Sequence, residues 1–369
     1  MDDRDFPVKL AVRRLFWYEG LSTRLNVKLA AVVRRDQSRT RAATEEYTDL
    51  DVLGVGMTPG YQVLLKVADC KSVGKRIAER LFWLQGVKVL FQANTCYLVR
   101  PSEVPASSRQ LATRLDIVIV SGKDLAALQE FSRESGADSG SQHPFFDGSA
   151  YLAFEKTLAS IDSRLDPLQK YRSTYYWILE PRRNLQQLVT YLSDFKQQLY
   201  PDNKPHFALF LDYVWLYCFA LLKTVEGVVK SSAGDIDHAL KQFLFGDELG
   251  LKEREAVVHH LRELRKMLEG EQASSARDIF SVLPSYYPSL RELVTRFVRK
   301  PRAGSEALRC SEWLNLGGFA ASQSPRVERI SADPVAAKLL NDVASFLVEA
   351  SQLNPEFSAR FLQLSNETF

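Results

Sequence analysis

The spacing of apolar residues changes several times along the first third of the chain. Five leucines recur at close to helical spacing among arginines and lysines, which predicts a helix over residues 8–33. They are Leu10, Leu15, Leu21, Leu25 and Leu29. The polar, arginine-rich stretch that follows, residues 34–44, has no apolar periodicity, so we expect a loop there.

Beyond this loop the pattern becomes typical of strands. Two β-rich runs, 49–55 and 62–69, are joined by Thr58-Pro59-Gly60-Tyr61, which predicts an antiparallel hairpin. Helical and strand patterns then alternate, with helices at 74–93 and from 123 to about 132, and strands at 96–99 and 116–120. This order predicts an α/β domain with a mixed sheet flanked by helices.

The rest of the chain is predicted to be helical. A Ser/Gly-rich stretch without periodicity, residues 132–150, is interpreted as a linker between a first domain, 1–131, and an all-α second domain, 151–369. The connection over 300–333 contains Pro and Gly and is predicted to be a long loop. The predicted helices span 151–162, 168–198, 206–231, 234–245, 251–269, 287–299 and 334–352.

Composition and charge narrow the class of protein. The 369 residues are 46% hydrophobic and 25% charged, which excludes a disordered or fibrous chain. The net charge is only +3, but residues 1–130 carry 20 Lys/Arg against 15 Asp/Glu, whereas the remainder carries 28 against 30. The first domain is therefore the part expected to face a polyanion.

The cysteines and apolar runs indicate a reducing, aqueous compartment. None of the four cysteines belongs to a C-x-x-C pair, so we expect free thiols and no structural zinc. The first residues do not resemble a signal peptide. The most apolar run, 207–222, has 16 residues and contains Asp212, so it is predicted to be a buried helix and not a membrane span. We expect a cytoplasmic protein.

The predicted hairpin carries the residues with the clearest chemistry. Its first strand contains Asp51, and its second strand ends in Asp69-Cys70-Lys71. Because side chains alternate along strands, Asp69 and Lys71 share a face while Cys70 points into the core. Antiparallel pairing would bring Asp51 and Asp69 together, and two carboxylates can hold Mg²⁺ or Mn²⁺ beside a phosphate and a water. Lys71 would orient that water and offset phosphate charge.

With these residues, the stretch 8–130 resembles the PD-(D/E)xK nuclease superfamily, in its Mrr-like and resolvase-like branches. The resemblance implies a restriction-endonuclease-like fold and Mg²⁺-dependent or Mn²⁺-dependent cleavage of phosphodiester bonds. It implies catalytic roles for Asp51, Asp69 and Lys71, of which the two aspartates are metal ligands, and for Glu19 on the first helix. The residues expected on nucleic acid are Lys75, Arg76 and Arg80 on the following helix, together with Arg35 and Arg39 in the arginine-rich loop.

Several assignments remain open at this stage. Glu45 and Glu46 compete with Glu19 for completion of the site, and Asp49 is either an auxiliary ligand or a residue at the start of the strand. A surface hairpin with a cross-strand ion pair explains Asp51, Asp69 and Lys71 without any function. Three acids at strand positions favour the functional interpretation, because Asp is disfavoured in strands.

The sequence thus predicts a Mg²⁺-dependent DNA endonuclease. Because no motif that reads a DNA sequence is visible, we expect partner subunits that dock on the helical domain. The expected setting is a bacterial defence system against phage or plasmid DNA, and a homodimer is an alternative assembly. The main alternative is a non-cleaving nucleic-acid-binding or scaffold subunit that uses a degenerate nuclease fold. A purely structural assembly subunit is a third, weaker interpretation.

Overall fold

The structure is a computed structural model and describes residues 4–33, 43–71, 76–134, 144–269, 281–320 and 332–369. A five-stranded mixed sheet forms in the N-terminal region, and the chain beyond it is mostly helical. The predicted α/β region followed by an all-helical region is therefore confirmed at this level.

The sheet has the order β1-β2-β3-β4-β5, in which each strand pairs with its neighbours along the chain. The first three strands form an antiparallel meander, and β4 and β5 are added parallel to β3. The predicted hairpin is β2–β3, and its turn is closed by a hydrogen bond from the Tyr61 N–H to the Thr58 carbonyl, 3.0 Å. The strands are β1, Ser22–Val33; β2, Ala43–Met57; β3, Val63–Cys70; β4, Thr95–Arg100; and β5, Ile117–Ser121.

Helices cover both faces of the sheet. The first and fourth helices pack together on one face, where apolar side chains such as Phe16 and Leu125 form a compact cluster with Val52 and Ala68. The second and third helices pack on the other side of β4 and β5. These helices are α1, Phe6–Tyr18; α2, Ile77–Phe91; α3, Ala106–Arg114; and α4, Gly122–Glu134.

The C-terminal region is built around one long central helix, Lys204–Ser232. Among the described residues it is the one helix long and apolar enough to cross a membrane, and 94% of its most apolar window is buried inside the fold. The prediction of a buried helix over 207–222 is therefore confirmed. The helices are α5, Pro144–Asp147; α6, Ser149–Ala159; α7, Asp166–Lys170; α8, Tyr176–Ile178; α9, Pro181–Asp194; α10, Lys204–Ser232; α11, Ile236–Phe245; α12, Glu248–Glu269; α13, Tyr287–Arg299; α14, Pro301–Trp313; α15, Pro334–Ser351; and α16, Glu356–Thr368.

The helical region and the sheet share one continuous core. Apolar side chains of β2 and β3 belong to the same cluster as those of α10, α14 and α16. Polar contacts cross the same boundary: the Met57 N–H donates to Ser305 Oγ at 3.0 Å, and Trp215 Nε1 donates to Ser22 Oγ at 2.9 Å. The middle of the predicted linker lies outside the described residues, and Phe145 and Phe146 near its end are buried in this core.

Three predicted elements are wrong. The helix predicted over 8–33 ends at Tyr18, and its second half is strand β1. The loop predicted over 300–333 is helical as far as Ala320, in α14 and the wide helical turn Leu314–Ala320, and residues 321–331 lie outside the described part. The helix predicted over 168–198 is interrupted before Pro181, because the residue preceding a proline is disfavoured in helical conformation.

Candidate functional site

The two predicted metal ligands occupy neighbouring positions on adjacent strands. Val52 of β2 pairs with Ala68 of β3, so the next position along the antiparallel ladder places Asp51 beside Asp69. Both residues are buried, with 2% and 3% of their surface exposed. The pair lies at the carboxyl end of β3, where β2 continues with β1 alone as its partner.

Asp51 is held by two lysines and one backbone group. Its Oδ1 is 2.9 Å from Lys9 Nζ, and its Oδ2 accepts from the Cys70 N–H at 2.7 Å. Lys71 Nζ is 3.4 Å from the same Oδ2. An ionised, buried carboxylate requires such partners, because an unpaired charge inside a protein is strongly unfavourable.

Asp69 is held by Arg80 of α2 in a bidentate ion pair. The Asp69 oxygens accept from Arg80 Nε at 2.6 Å and from Arg80 Nη2 at 2.5 Å, and Lys71 Nζ lies 3.8 Å from Oδ1. Burial raises the pKa of the Asp69 carboxyl above its usual value, against the lowering effect of the Arg80 hydrogen bonds. Lys71 Nζ therefore lies within 4 Å of both carboxylates, so the antiparallel pairing of β2 and β3 brings the three residues together as expected from the sequence.

Cys70, between Asp69 and Lys71 in the sequence, is a buried thiol, as predicted. Burial, followed by the charges of Asp51 and Asp69, raises the pKa of this thiol well above its ordinary value. It therefore stays protonated and is a poor nucleophile. Cys96, Cys218 and Cys310 are also free and buried.

Two residues of the cluster were missed by the sequence analysis. Lys9 of α1 reaches Asp51 and also donates to Asn26 Oδ1 at 2.7 Å. Asn26 has a φ of +54°, in the left-handed region that asparagine tolerates better than most residues, and it interrupts the pairing of β1 with β2. No local pattern marks these residues, because Lys9 lies 42 positions before Asp51 in the sequence.

The acidic residues proposed to complete the site lie elsewhere. Glu19 follows the last turn of α1, about 20 Å along the helix axis from Asp5, and pairs with Lys66 at 3.0 Å. Glu46 pairs with exposed Lys28 at 2.8 Å and precedes Asp51 by five strand positions, about 16 Å. Glu45, its exposed neighbour, is equally remote. Among the described residues, the acid nearest to Lys71 after the two aspartates is Asp5, at 3.8 Å.

The residues predicted to bind nucleic acid divide into three groups. Arg80 forms an ion pair with Asp69. Arg76 is exposed and pairs with Glu79, three residues further along the chain, at 3.3 Å. Arg35, Arg39 and Lys75 lie outside the described residues. Asp49 is exposed opposite Lys28 in the middle of β2, which begins at Ala43, so it does not stand at the start of a strand.

The two aspartates do not form an open metal site in this structure, because Arg80 holds both oxygens of Asp69 and Lys9 holds one oxygen of Asp51. Within the described ranges there is no cluster of three or more Asp, Glu, His or Cys side chains suited to a metal, so the aspartate pair would supply two oxygens. Water, backbone carbonyl or phosphate oxygens are the ligands that usually complete Mg²⁺ coordination. The side chains of Lys71 and Arg80 are about one-third exposed, so they can move towards solvent, whereas Lys9 is buried.

Removing Arg80 should therefore strengthen metal binding. In Arg80→Gln, Asp69 loses the cation that occupies both of its oxygens, and we expect Mn²⁺ to bind at least about tenfold more tightly in calorimetric titration. Arg76→Gln, on the same helix but outside the cluster, should leave the affinity unchanged. Unchanged or weaker Mn²⁺ binding by Arg80→Gln would contradict a metal site at Asp69.

Comparisons of the chain with known proteins identify no relative. No protein-family model, no curated protein and no solved structure matches the chain. The candidate site is therefore argued from its own residues, in which two carboxylates of adjacent strands share one lysine.

Proposed function

We propose that the chain is a metal-dependent endonuclease that hydrolyses the phosphodiester bonds of DNA. The observation that carries the proposal is the position of Lys71, whose Nζ lies 3.4 Å from Asp51 and 3.8 Å from Asp69. Strands rarely carry two buried aspartates side by side, because this requires compensating cations and offers nothing to packing.

The fold supports a restriction-endonuclease-like assignment. A helix, a three-stranded antiparallel meander, a second helix and a parallel strand follow one another, with one aspartate on the second strand and Asp69-x-Lys71 on the third. The resemblance seen in the sequence implies this order of helix, aspartate-bearing strand, (D/E)-x-K strand and helix.

Each residue then has a chemical role. Asp51 and Asp69 would hold Mg²⁺ or Mn²⁺, which acidifies a bound water and neutralises charge on the phosphate. Lys71, on the solvent side of the pair, would orient the attacking water and donate a hydrogen bond to a phosphate oxygen. Arg80, once released from Asp69, would be free to form a bidentate ion pair with a phosphate of the bound DNA.

The helical region supports a role in a larger assembly. Helix α12 leaves an apolar stripe exposed, and such a surface is typical of a partner interface. Its residues are Leu249, Val257, Leu261, Leu264 and Met267. A partner docked on this stripe would select the DNA to be cut, and a cytoplasmic bacterial defence system against phage or plasmid DNA is the setting that we propose.

Nicking of supercoiled plasmid tests the proposal. We expect nicks in Mg²⁺ or Mn²⁺, none in EDTA, and recovery when metal is restored, with the activity following the protein through size-exclusion chromatography. Plasmid that stays intact with either metal, or nicks that persist in EDTA, would contradict a metal-dependent nuclease at this site.

The second candidate function is a non-cleaving nucleic-acid-binding or scaffold subunit. It is favoured by the ion pairs that the two aspartates already make. Arg80 binds both oxygens of Asp69, and Lys9 binds one oxygen of Asp51, so these oxygens are not open to a metal. A scaffold should bind DNA equally well with Mg²⁺ and with EDTA. Metal-enhanced DNA binding would instead favour the nuclease, because the metal bridges the aspartates and a phosphate.

A further inference from the structure

The guanidinium of Arg80 contacts two groups, the carboxylate of Asp69 and the indole ring of Trp83. Its Nε and Nη2 donate to Asp69 at 2.6 and 2.5 Å, and its central carbon lies 3.5 Å from the centroid of the Trp83 ring. Stacking on the indole holds the guanidinium plane, so its N–H groups keep a fixed direction. About one-third of the Arg80 side chain is exposed, so a solute reaches a cation that is already oriented for an oxyanion.

A phosphate group is an alternative partner for this guanidinium. The planar fork of arginine forms the same pair of parallel N–H···O bonds with a phosphate as with a carboxylate. A phosphate that replaces Asp69 therefore preserves both hydrogen bonds of Arg80. The residue is thus a phosphate ligand that the free chain keeps on one of its own carboxylates.

The burial of Asp69 opposes this exchange. The residue is 3% exposed, and among the described residues the other cation within 4 Å is Lys71, whose Nζ is 3.8 Å away and is shared with Asp51. A buried carboxylate that loses its bidentate partner is strongly unfavourable, because water does not replace the lost cation. A phosphate alone removes Arg80 only at this cost, and a divalent cation alone finds both oxygens of Asp69 occupied.

A phosphate and a divalent cation together avoid both obstacles. Once a phosphate holds Arg80, the two oxygens of Asp69 are open to a divalent cation, which prefers such oxygens as ligands. Once that cation neutralises Asp69, Arg80 leaves without exposing an unpaired buried charge. By thermodynamic linkage, the metal then raises the affinity for DNA by the same factor as DNA raises the affinity for the metal.

We propose that Arg80 couples DNA binding to metal binding, because this arginine passes from Asp69 to a phosphate of the DNA when the metal binds. The pair of Arg80 with Asp69 is then the resting arrangement of the site, and the metal binds weakly until DNA is present. The identity of the two ligands, DNA and a divalent cation, rests on the proposed function. The coupling concerns binding alone, and no cleavage is needed to observe it.

DNA binding in EDTA tests whether Asp69 restrains Arg80. Asp69→Asn removes the charge that holds the arginine, and we expect it to bind a labelled DNA duplex at least about fivefold more tightly than the wild type in fluorescence anisotropy. Glu79→Gln is the matched control, because it also removes one negative charge but frees Arg76 only from an exposed pair, and it should change the affinity by less than about twofold. In the Arg80→Gln background, Asp69→Asn should gain no more than Glu79→Gln. Equal gains by the two variants, or a gain that persists without Arg80, would overturn the proposal.

The effect of Mn²⁺ on DNA binding tests the exchange with Asp69 unchanged. Two proteins are compared, with Arg80 and with Arg80→Gln, and both carry Lys71→Ala, which keeps the pair of Arg80 with Asp69 and is expected to slow cleavage of the duplex. The gain in DNA affinity between EDTA and Mn²⁺, at equal ionic strength, should be at least about fivefold larger with Arg80, because bridging of a phosphate by the metal acts in both proteins and only Arg80 changes partner. Equal gains would show that bridging acts alone and would contradict the coupling.

A failure of the coupling and a failure of the nuclease give different results. Metal-dependent nicking of plasmid together with equal gains would support the nuclease and overturn the coupling. A larger gain with Arg80 on plasmid that stays intact would support the coupling and contradict cleavage. If no form of the chain binds the duplex up to about 100 μM protein, in EDTA or in Mn²⁺, the coupling is wrong, because no phosphate then reaches Arg80.

Discussion

Lys71→Ala is expected to lower the rate of Mg²⁺-dependent plasmid nicking by about 10³-fold, because it removes the cation that faces both carboxylates and the attacking water. About one-third of the Lys71 side chain is exposed, so the fold should survive. The aspartates keep Lys9 and Arg80 as counter-charges. Initial rates of nicking on supercoiled plasmid, with DNA binding measured in parallel, separate a catalytic loss from a binding loss.

Lys66→Ala is the matched control for this experiment. Lys66 is on the same strand as the site and is also paired with a carboxylate, that of Glu19. It should retain activity within a factor of a few, and so should Glu19→Gln. Equal activity of Lys71→Ala and the wild type would remove Lys71 from the mechanism, and an inactive Glu19→Gln would restore Glu19 to the role that the resemblance implied.

The site was predictable where it depends on local sequence. The turn at Thr58, the alternation along β3 and the triplet Asp69-Cys70-Lys71 lie in one continuous stretch, residues 58–71, so a local pattern predicts them together. The cations that close the site are not local. Lys9 belongs to a different element. Arg80 was predicted to contact nucleic acid, and its pairing with Asp69 depends on the packing of α2 against the sheet.

The strand β1 was missed for a physical reason. Leu21, Leu25 and Leu29 are spaced by four, which fits one face of a helix and also fits one face of a strand, because four is a multiple of two. Its length, antiparallel partner and break at Asn26 appear only when β2 is beside it. A spacing of four is therefore ambiguous unless residues at i+3 or i+2 decide it.

The helix over 301–313 was missed because proline and glycine were interpreted as breakers. Pro301 stands in the first turn of α14, where the missing N–H costs nothing. Gly317 and Gly318 permit close packing instead of a turn, since a Cβ at either position would approach Trp313 or Thr368 to less than 3 Å. In this segment, proline and glycine therefore do not end the helix. The same segment contains a residue that is central to the fold.

That residue is Glu312, a buried acid that joins the helical region to α1 and β1. Its carboxylate accepts from Arg13 Nη2 and from Ser22 Oγ, both at 2.9 Å, and from the backbone N–H and hydroxyl of Thr23. Arg13 is 2% exposed, so its charge has no access to water if this partner is lost.

Glu312→Gln is expected to lower the free energy of unfolding by about 3–5 kcal/mol, because it leaves the buried Arg13 guanidinium uncompensated and turns an amide N–H₂ towards donors. For a chain of this length the melting temperature should fall by about 5 °C, which differential scanning calorimetry measures. Glu306→Gln, on the same helix in a partly exposed pair with Arg309, should change the free energy of unfolding by less than about 1 kcal/mol. The double variant Arg13→Met/Glu312→Leu should recover part of the loss, because an apolar pair needs no counter-charge. A Glu312→Gln chain that melts like the wild type would show that the Glu312 network contributes nothing measurable to the free energy of unfolding.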